Sequence, residues 1–135
     1  MPINQPSSTN AVERTDAQNC SFVIDEQLGI QAIPRVSGPP QRLPGMTLGI
    51  IDMTQNAPHG GELHPDGDEL LYVISGRIQV TAEIEPGIAH EFGPGDSCVV
   101  RKNHWHQVDI LEPSKLLHVT PGPNGDHRPL TAANS

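Results

Sequence analysis

The sequence predicts an all-β domain built from short strands and tight turns, and three observations support this fold class. The chain of 135 residues contains 13 glycines and 14 prolines, a content that favours frequent turns over long helices. Short runs of Val, Ile, Leu and Thr recur between these turn residues, as expected for strands. No segment longer than two helical turns shows the 3.6-residue apolar period of an amphipathic helix. Because only 3% of the residues are aromatic, the core must consist mainly of Val, Ile and Leu.

About ten short strands are predicted, because that many segments are rich in β-branched or apolar residues and are bounded by turn residues. The clearest of them, in chain order, are SFVID (21–25), GIQAI (29–33), MTLGIIDM (46–53), ELLYVIS (69–75), RIQVTAEI (77–84), IAHEF (88–92), SCVV (97–100), HWHQVDIL (104–111) and KLLHVT (115–120). Such a series of short strands is typical of a β-sandwich or β-barrel.

The residues between these segments predict the connections. Ser75-Gly76 is expected to form a tight hairpin between the strands 69–75 and 77–84. Both faces of the strand 69–75 are apolar apart from Glu69, so we expect it to be covered on both sides. The other predicted turns and turn-rich segments are 36–45, 86–87, 93–96 and 112–114.

The chain is expected to form a single domain with two polar ends. Residues 1–20 are predicted to be a flexible arm, residues 21–121 the β-barrel, and residues 122–135 a loop-like tail with a turn at Asn124-Gly125. The first ten residues lack the basic start and apolar segment of a signal peptide. No apolar run approaches the ~20 residues of a membrane span. We therefore expect a cytoplasmic protein.

Charge, cysteine content and the missing motifs exclude several classes of function. A formal net charge of −8 argues against nucleic acid or an anionic membrane as partner. Two cysteines without a CxxC pair are too few for a disulfide scaffold, and Cys98, in the apolar run SCVV, is expected to be a buried thiol. The sequence contains no GxSxG, HExxH or Walker motif, so serine-nucleophile and phosphoryl-transfer chemistry have no support.

Histidines and carboxylates recur close to the strand ends. Glu69 begins an apolar strand, where a buried carboxylate is disfavoured unless it is paired. Glu62 and His64 are two residues apart, so their side chains point the same way on an extended segment, and His104 and His106 repeat this spacing. Imidazole and carboxylate groups converging from different strands suit a divalent Fe, Mn, Co, Ni or Zn ion. The same spacing also fits surface histidines, so the residues alone leave both interpretations open.

Two motifs in the segment from about Asn56 to Ile110 resemble those of the cupins, a superfamily of small β-barrels. The first cupin motif usually contains His-x-His, then a glutamate after three or four residues and a glycine six residues later. His64, Glu69 and Gly76 match the second histidine, the glutamate and the glycine. The second motif begins at Gly95 and ends on His106, and its opening PGD at 94–96 is also typical. The resemblance implies a cupin barrel, also described as a double-stranded β-helix or jelly-roll.

The sequence departs from the cupin pattern at four positions. Glu62 occupies the position of the first histidine of the first motif, and Asn56 that of the glycine that usually opens it. Arg101 and Asn103 replace the usual proline and glycine of the second motif. Glu62 can still bind a metal, because a carboxylate oxygen is a good ligand for hard or borderline divalent ions.

The resemblance implies one divalent metal ion bound by Glu62, His64, Glu69 and His106. Two carboxylates and two imidazoles make the site neutral with a divalent ion, which favours Fe(II) or Mn(II), with Zn(II), Ni(II) and Co(II) as alternatives. The implied function is an oxygenase-type enzyme that acts on a small organic molecule in the barrel, with Glu69 or Glu62 as a base. The alternatives are a metal-dependent isomerase or lyase, and a cupin that binds a sugar or small metabolite without catalysis.

Further polar residues are weaker candidates. His59 is expected at the rim of the cup, either as an entrance group or as a substitute for the missing histidine ligand. His104 and Arg101 are expected as substrate or entrance residues. Tyr72 and Trp105 alternate away from the site and are expected to pack on the outside or at a subunit contact. The histidines inside the strand patterns at 90 and 118 are expected to be structural.

The resemblance to cupins also predicts a homodimer, because cupins commonly dimerise by packing strands or exchanging N-terminal segments. The polar arm at 1–20 is then expected to become ordered against the partner subunit. Light scattering should therefore give a molar mass of two chains, and a mass equal to one chain would exclude the dimer.

Overall fold

The computed structural model describes residues 11–35, 43–122 and 125–129, and every regular element among them is a β-strand. The predicted all-β fold class is confirmed. The strands are β1 (Cys20–Ile24), β2 (Ile30–Pro34), β3 (Met46–Met53), β4 (Glu62–Leu63), β5 (Glu69–Ala82), β6 (His90–Phe92), β7 (Ser97–Val100), β8 (His106–Pro121) and β9 (Asp126–His127).

Two long antiparallel strands, β5 and β8, organise the other strands around them. The first half of β5 lies opposite the second half of β8, where Leu70 faces Val119, and the second half of β5 ends with Ala82 opposite His106. β3 pairs with the second half of β8, and β4 pairs with its beginning. β7 and β6 pair with the first and second halves of β5, while β1 joins β2 to β3. The chain therefore brings both ends of β8 next to strands that are distant in sequence.

The hairpin predicted at Ser75-Gly76 is wrong, because β5 continues through these residues as one strand of 14 residues. The register between β5 and β8 shifts between Val73 and Ile78, which is a β-bulge. Pro113 lies in the facing part of β8, and it has no N–H to donate to a regular ladder. The predicted break at 112–114 is therefore also part of a continuous strand, β8. Glycine and proline occur here at a β-bulge between two continuous strands. The sequence alone does not distinguish such a bulge from a turn.

The bulge changes which face of β5 points into the barrel. Before Gly76 the odd-numbered Leu71 and Val73 are buried, whereas after it the even-numbered Ile78 and Val80 are buried. One extra residue reverses the alternation of a strand, and so the bulge keeps apolar residues inside on both of its sides. These four residues and Leu116 of β8 form the buried core.

The outer face of the first half of β5 is not covered by the described residues. Tyr72 and Ile74 are each 38% exposed, so the expectation that this strand is buried on both faces is wrong. Tyr72 does lie on the outer face, as its alternation with Glu69 predicts. Cys98 of β7, expected to be a buried thiol, is half-buried and packs against the core, and burial raises the pKa of its thiol.

Parts of three predicted segments lie outside the described residues. They are the first ten residues of the arm, residues 36–42 of the turn-rich stretch, and Asn124 of the turn predicted in the tail. Within the tail, Asp126–His127 form β9, a strand that the loop-like prediction missed. None of the described residues belongs to a helix that is long and apolar enough to cross a membrane.

Replacing Gly76 by alanine should destabilise the barrel strongly. Gly76 has a positive φ of 89°, and a Cβ there would lie 2.4 Å from the Pro113 carbonyl oxygen, which is backbone and cannot move freely. We expect Gly76→Ala to lower the free energy of unfolding by about 3 kcal/mol, from backbone strain plus overlap. Urea unfolding of the purified variant measures this loss.

Gly87→Ala is the matched control. Gly87 also has a positive φ, of 81°, but a Cβ there meets no atom within 4 Å. This variant should lose only the roughly 1–2 kcal/mol of the left-handed backbone. Equal losses in the two variants would contradict the close contact between the bulge and β8.

Candidate metal centre

The pairing of β4 determines the centre of the site. This two-residue strand lies between β8 and β9, and Glu62 faces His106 on one side and His127 on the other. Directly opposite residues of antiparallel strands place their side chains on the same face, a few ångströms apart. The strand register therefore brings one carboxylate between two imidazoles that lie 21 residues apart in the sequence.

Four side chains then converge, which we call the inner group: Glu62, His64, Glu69 and His106. Each offers one nitrogen or oxygen atom, and these four atoms all lie within 4.8 Å of one another. His106 Nε2 lies 3.1 Å from Glu69 Oε1 and 3.5 Å from Glu62 Oε1. His64 Nε2 lies 3.5 Å from Glu62 Oε1 and 3.5 Å from Glu69 Oε2. The structure thus brings together the four residues that the cupin resemblance assigned as ligands.

Hydrogen bonds around the inner group orient two of its members. His106 Nδ1 lies 3.1 Å from the His104 carbonyl oxygen, which can only accept, so the proton is on Nδ1 and Nε2 faces the carboxylates. The Thr120 hydroxyl donates to Glu69 Oε2 at 2.7 Å. Its oxygen can then accept from His118 Nδ1, which lies 2.8 Å away. Both Glu69 and His106 are therefore held in place by groups outside the cluster.

His64 is the least satisfied member of the inner group. It is 6% exposed, and neither of its ring nitrogens makes a hydrogen bond within the described part of the chain. Its ring packs closely against Gly125, where a Cβ would lie 2.8 Å from His64 Nδ1. A buried imidazole without a hydrogen bond is costly, and His64 Nε2 faces two carboxylates at 3.5 Å. Together with the nitrogen and oxygen donors around it, this arrangement fits a divalent cation.

Three members of the inner group, Glu62, His64 and Glu69, line a cavity of about 360 Å³, and the fourth, His106, is buried against Glu69. Most of the cavity wall is apolar and includes Ile51, Leu71, Val108 and Leu116. Glu69 and His106 are almost fully buried, whereas the Glu62 side chain retains 22% of its exposure. The cavity therefore has an apolar wall and a polar floor, which is typical of a site for a small organic molecule.

Comparison with known protein families agrees with this geometry. Residues 50–120, about half of the chain, match the family model described as the cupin domain. The chain belongs to the cupins. The matched region contains all four residues of the inner group, the whole of β5 with the bulge at Gly76, and β8 as far as Thr120.

Solved structures place this cupin among proteins of the same fold. A cupin-2 domain protein from Shewanella frigidimarina is 17% identical, with a TM-score of 0.50 over 64% of this chain and 83% of that one. A conserved protein of unknown function from Streptococcus pyogenes is 16% identical, with a TM-score of 0.50 over 67% of this chain and 73% of that one. At such identities the similarity shows the fold alone.

Oxalate decarboxylase from Bacillus subtilis, studied for its Mn(II) centres, is also similar. It is 22% identical, with a TM-score of 0.50 over 61% of this cupin, which covers only 23% of that chain. No curated protein matches the sequence significantly.

Charge pairing dominates the electrostatics of this cupin's inner group. Burial by itself lowers the pKa of both histidines, but the adjacent carboxylates outweigh it and raise the pKa of His64 to about 9 and that of His106 to about 10. Burial would raise the pKa of Glu69, yet the two histidines hold that pKa at about 2, and the pKa of Glu62 is likewise well below its usual range. Without a metal, two protonated imidazoles thus neutralise two carboxylates. A divalent ion carries the same charge as the two protons that it replaces.

The other predicted site residues fall into two places. His59 lines the same cavity as the inner group, and its Nε2 lies 3.9 Å from Glu62 Oε2. His104 and Arg101 line a separate depression beside β6 and β7. The Arg101 guanidinium is exposed and binds Asp68 Oδ2 at 3.0 Å. The substrate and entrance roles of these three residues stay predictions.

Sequence reasoning missed two residues of this site. His127 belongs to the tail that was expected to be a loop, and its Nε2 lies 3.2 Å from Glu62 Oε2. Thr120, which donates to Glu69, follows directly on Val119, the partner of Leu70 in the β5–β8 register. The pairing of β5 with β8 places Thr120 next to Glu69. The sequence analysis missed this pairing because it predicted a hairpin at Ser75-Gly76. No sequence pattern around His127 indicated a role in the site, because only the pairing of β9 with β4 brings His127 next to Glu62.

The stability of the metal-free protein should fall as the pH rises from about 6.5 to 8.5. Because the folded-state pKa values of His64 and His106 lie above the unfolded value of 6.5, the folded chain retains protons that the unfolded chain releases. The stabilisation is complete below about pH 6.5 and is lost as the pH rises towards 9 and 10. Urea unfolding of chelator-treated protein at pH 6.0, 7.0 and 8.5 should show falling stability.

The control is His90→Gln, which removes an exposed histidine that pairs with Glu85 far from the site. This variant should show the same fall in stability with pH as the wild type. A metal-free wild type with constant stability across this range would contradict the charge pairing in the inner group.

Proposed function

We propose that this cupin is a mononuclear metal-dependent enzyme that acts on a small organic molecule, with Fe(II) or Mn(II) and oxygenase-type chemistry. The observation that carries the proposal is the convergence of four nitrogen and oxygen donors, three of which belong to residues that line an apolar cavity. Carboxylate and imidazole ligands without thiolate favour Fe(II) and Mn(II) among the divalent ions. The Mn(II) centres of oxalate decarboxylase, which shares the fold, agree with the manganese alternative.

The two carboxylates differ in what they can do. Glu69 is buried and receives a hydrogen bond from Thr120, so its position is fixed and suits a permanent ligand. Glu62 lies nearer to the opening of the cavity, and its Oε2 faces the histidines at the rim. It is therefore the carboxylate better placed to accept a proton from a bound molecule. When bound, a divalent ion would polarise a substrate oxygen, and Fe(II) or Mn(II) would also support chemistry with dioxygen.

The cavity wall indicates the class of substrate. The described residues that line it include no lysine or arginine, and its apolar side chains suit a small neutral or weakly charged molecule. Polar groups of such a molecule would face the floor, where the inner group and Thr120 lie. A molecule with two neighbouring oxygen atoms would fit this cavity best. Both oxygen atoms could face the polar floor, while the carbon skeleton would contact Leu71 and Leu116 of the apolar wall.

A metal-dependent isomerase or lyase uses the same floor and is the second candidate. Its support is the position of Glu62, since a carboxylate next to a polarised carbonyl can remove the neighbouring proton. The two candidates differ in whether the reaction consumes dioxygen, and in whether the ion must be redox-active.

Elemental analysis of protein purified without added metal tests the proposal. We expect about one Fe or Mn per chain, and dioxygen consumption with a substrate from a panel of small vicinal diols, hydroxyketones and dicarbonyl compounds. His106→Ala should lose the ion, since it removes a fixed ligand, whereas His90→Ala should retain it. A redox-inert ion with turnover but no dioxygen uptake would favour the isomerase or lyase. Absence of any ion would exclude both enzymes and leave a binding protein.

Glu62→Gln separates the roles of this residue. With a substrate identified, it should lower turnover by roughly 100-fold or more if Glu62 moves a proton, because the amide cannot accept one. Full turnover together with full metal content in this variant would contradict the proposed role of Glu62.

A further inference from the structure

The two carboxylate oxygens of Glu62 face two different sets of histidines. Oε1 lies 3.5 Å from Nε2 of both His64 and His106, on the side of the inner group. Oε2 lies 3.2 Å from His127 Nε2 and 3.9 Å from His59 Nε2, on the side of the opening. Glu62 therefore stands between two clusters of imidazole nitrogens and offers one oxygen to each.

The second cluster, which we call the outer group, consists of His59, Glu62 and His127. One ligand atom from each residue lies within 4.8 Å of the others, as in the inner group. The two imidazole rings are neighbours, with centroids 4.7 Å apart and ring planes inclined at 57°. Two imidazoles and one carboxylate form a donor set typical of divalent transition-metal sites that leave positions open to ligands. All three residues line the cavity that contains the inner group.

The backbone holds the outer group together independently of any ion. Glu62 and His127 are direct partners in the β4–β9 pairing. The Arg128 N–H donates to the Gly61 carbonyl, and the Gly60 N–H donates to the Arg128 carbonyl, so the segment that carries His59 is fixed to the segment that carries His127. Strand pairing thus places Glu62 and His127, and backbone hydrogen bonds to Arg128 fix the segment next to His59.

The positively charged side chain of Arg128 does not contact the outer group. Arg128 follows His127, but its guanidinium binds Glu83 Oε2 at 2.7 Å and lies 3.9 Å from the centre of the Trp105 ring. Its charge is therefore held by a carboxylate and an aromatic face on the outside of the barrel. The Arg128 guanidinium therefore does not compete with a metal ion for the outer group.

We propose that the outer group is a second divalent-cation position, and that Glu62 bridges it to the metal of the inner group. The inference extends the metal site proposed above, since the two positions share Glu62. Replacement of the usual cupin histidine by glutamate at this place supplies the second oxygen that a bridge needs. A neutral imidazole at position 62 that bound the first ion through Nε2 would carry its proton on Nδ1, so it could reach a second ion only by losing that proton as well.

The second position should bind more weakly than the first, for two reasons. Glu62 and Glu69 already neutralise one divalent ion, so a second ion adds uncompensated charge, which the net charge of −8 offsets only in part. A cation at His59 Nε2 also requires the proton of that ring on Nδ1. His59 would then give up the hydrogen bond that its Nδ1 accepts from the Gly61 N–H at 3.2 Å.

Equilibrium dialysis of metal-free protein against increasing Mn(II), with elemental analysis, tests the proposal. The wild type should bind one ion tightly and a second at least roughly tenfold more weakly. His127→Ala should lose the second ion and retain the first, and the milder variants His127→Gln and His59→Gln should do the same. His90→Ala is the matched control, because this histidine is about as exposed as His127 and also contacts a glutamate, and it should retain both ions.

Three further outcomes separate this inference from the proposed function. Wild type that saturates at one ion, lost in His106→Ala, would overturn the second position and leave the inner site intact. Two ions that both persist in His127→Ala and His59→Gln would show binding to surface carboxylates and would also overturn it. Retention of the first ion by His106→Ala would instead contradict the inner site and the proposed function.

Discussion

The compensation of one buried and one half-buried carboxylate by two imidazoles is the constraint on which this site depends. Glu62 and Glu69 lie beside the apolar core, where an unpaired negative charge is strongly unfavourable. His64 and His106 must therefore either hold protons or share a cation with these carboxylates. Both arrangements would have the same net charge, so a divalent ion could bind in exchange for two protons. Protonation of the two imidazoles and binding of a divalent ion would each satisfy the same electrostatic requirement.

Strand pairing satisfies this requirement by position alone. β5 carries Glu69, β8 carries His106 and Thr120, and β4 places Glu62 between β8 and β9. The bulge at Gly76 matters at a distance, because it lets β5 present an apolar face to the core on both of its sides. A regular strand without this extra residue would point either the first or the second half of β5 the wrong way.

The departure from the usual cupin motif at Glu62 gains a physical meaning from this arrangement. A histidine at this position would serve one metal with one nitrogen, whereas a carboxylate has two oxygens that point in different directions. Here one oxygen faces the inner group and the other faces His127 and His59. Glu62 thus contacts both the inner group and the histidines at the rim of the cavity. The sequence alone indicated only that one usual ligand had been replaced.

The sequence by itself predicted the fold class and most of the segments that form strands, because alternation and turn residues are local. It predicted the inner group through the resemblance to the cupin motifs, in which His64, Glu69 and His106 have fixed spacing. It did not distinguish a bulge from a hairpin at Gly76, since glycine serves both and only the partner strand decides between them. It also missed His127 and Thr120. Their roles depend on which strands become neighbours, and only the tertiary structure decides this. It places the short strand β4 between β8 and β9, and it pairs β5 with β8.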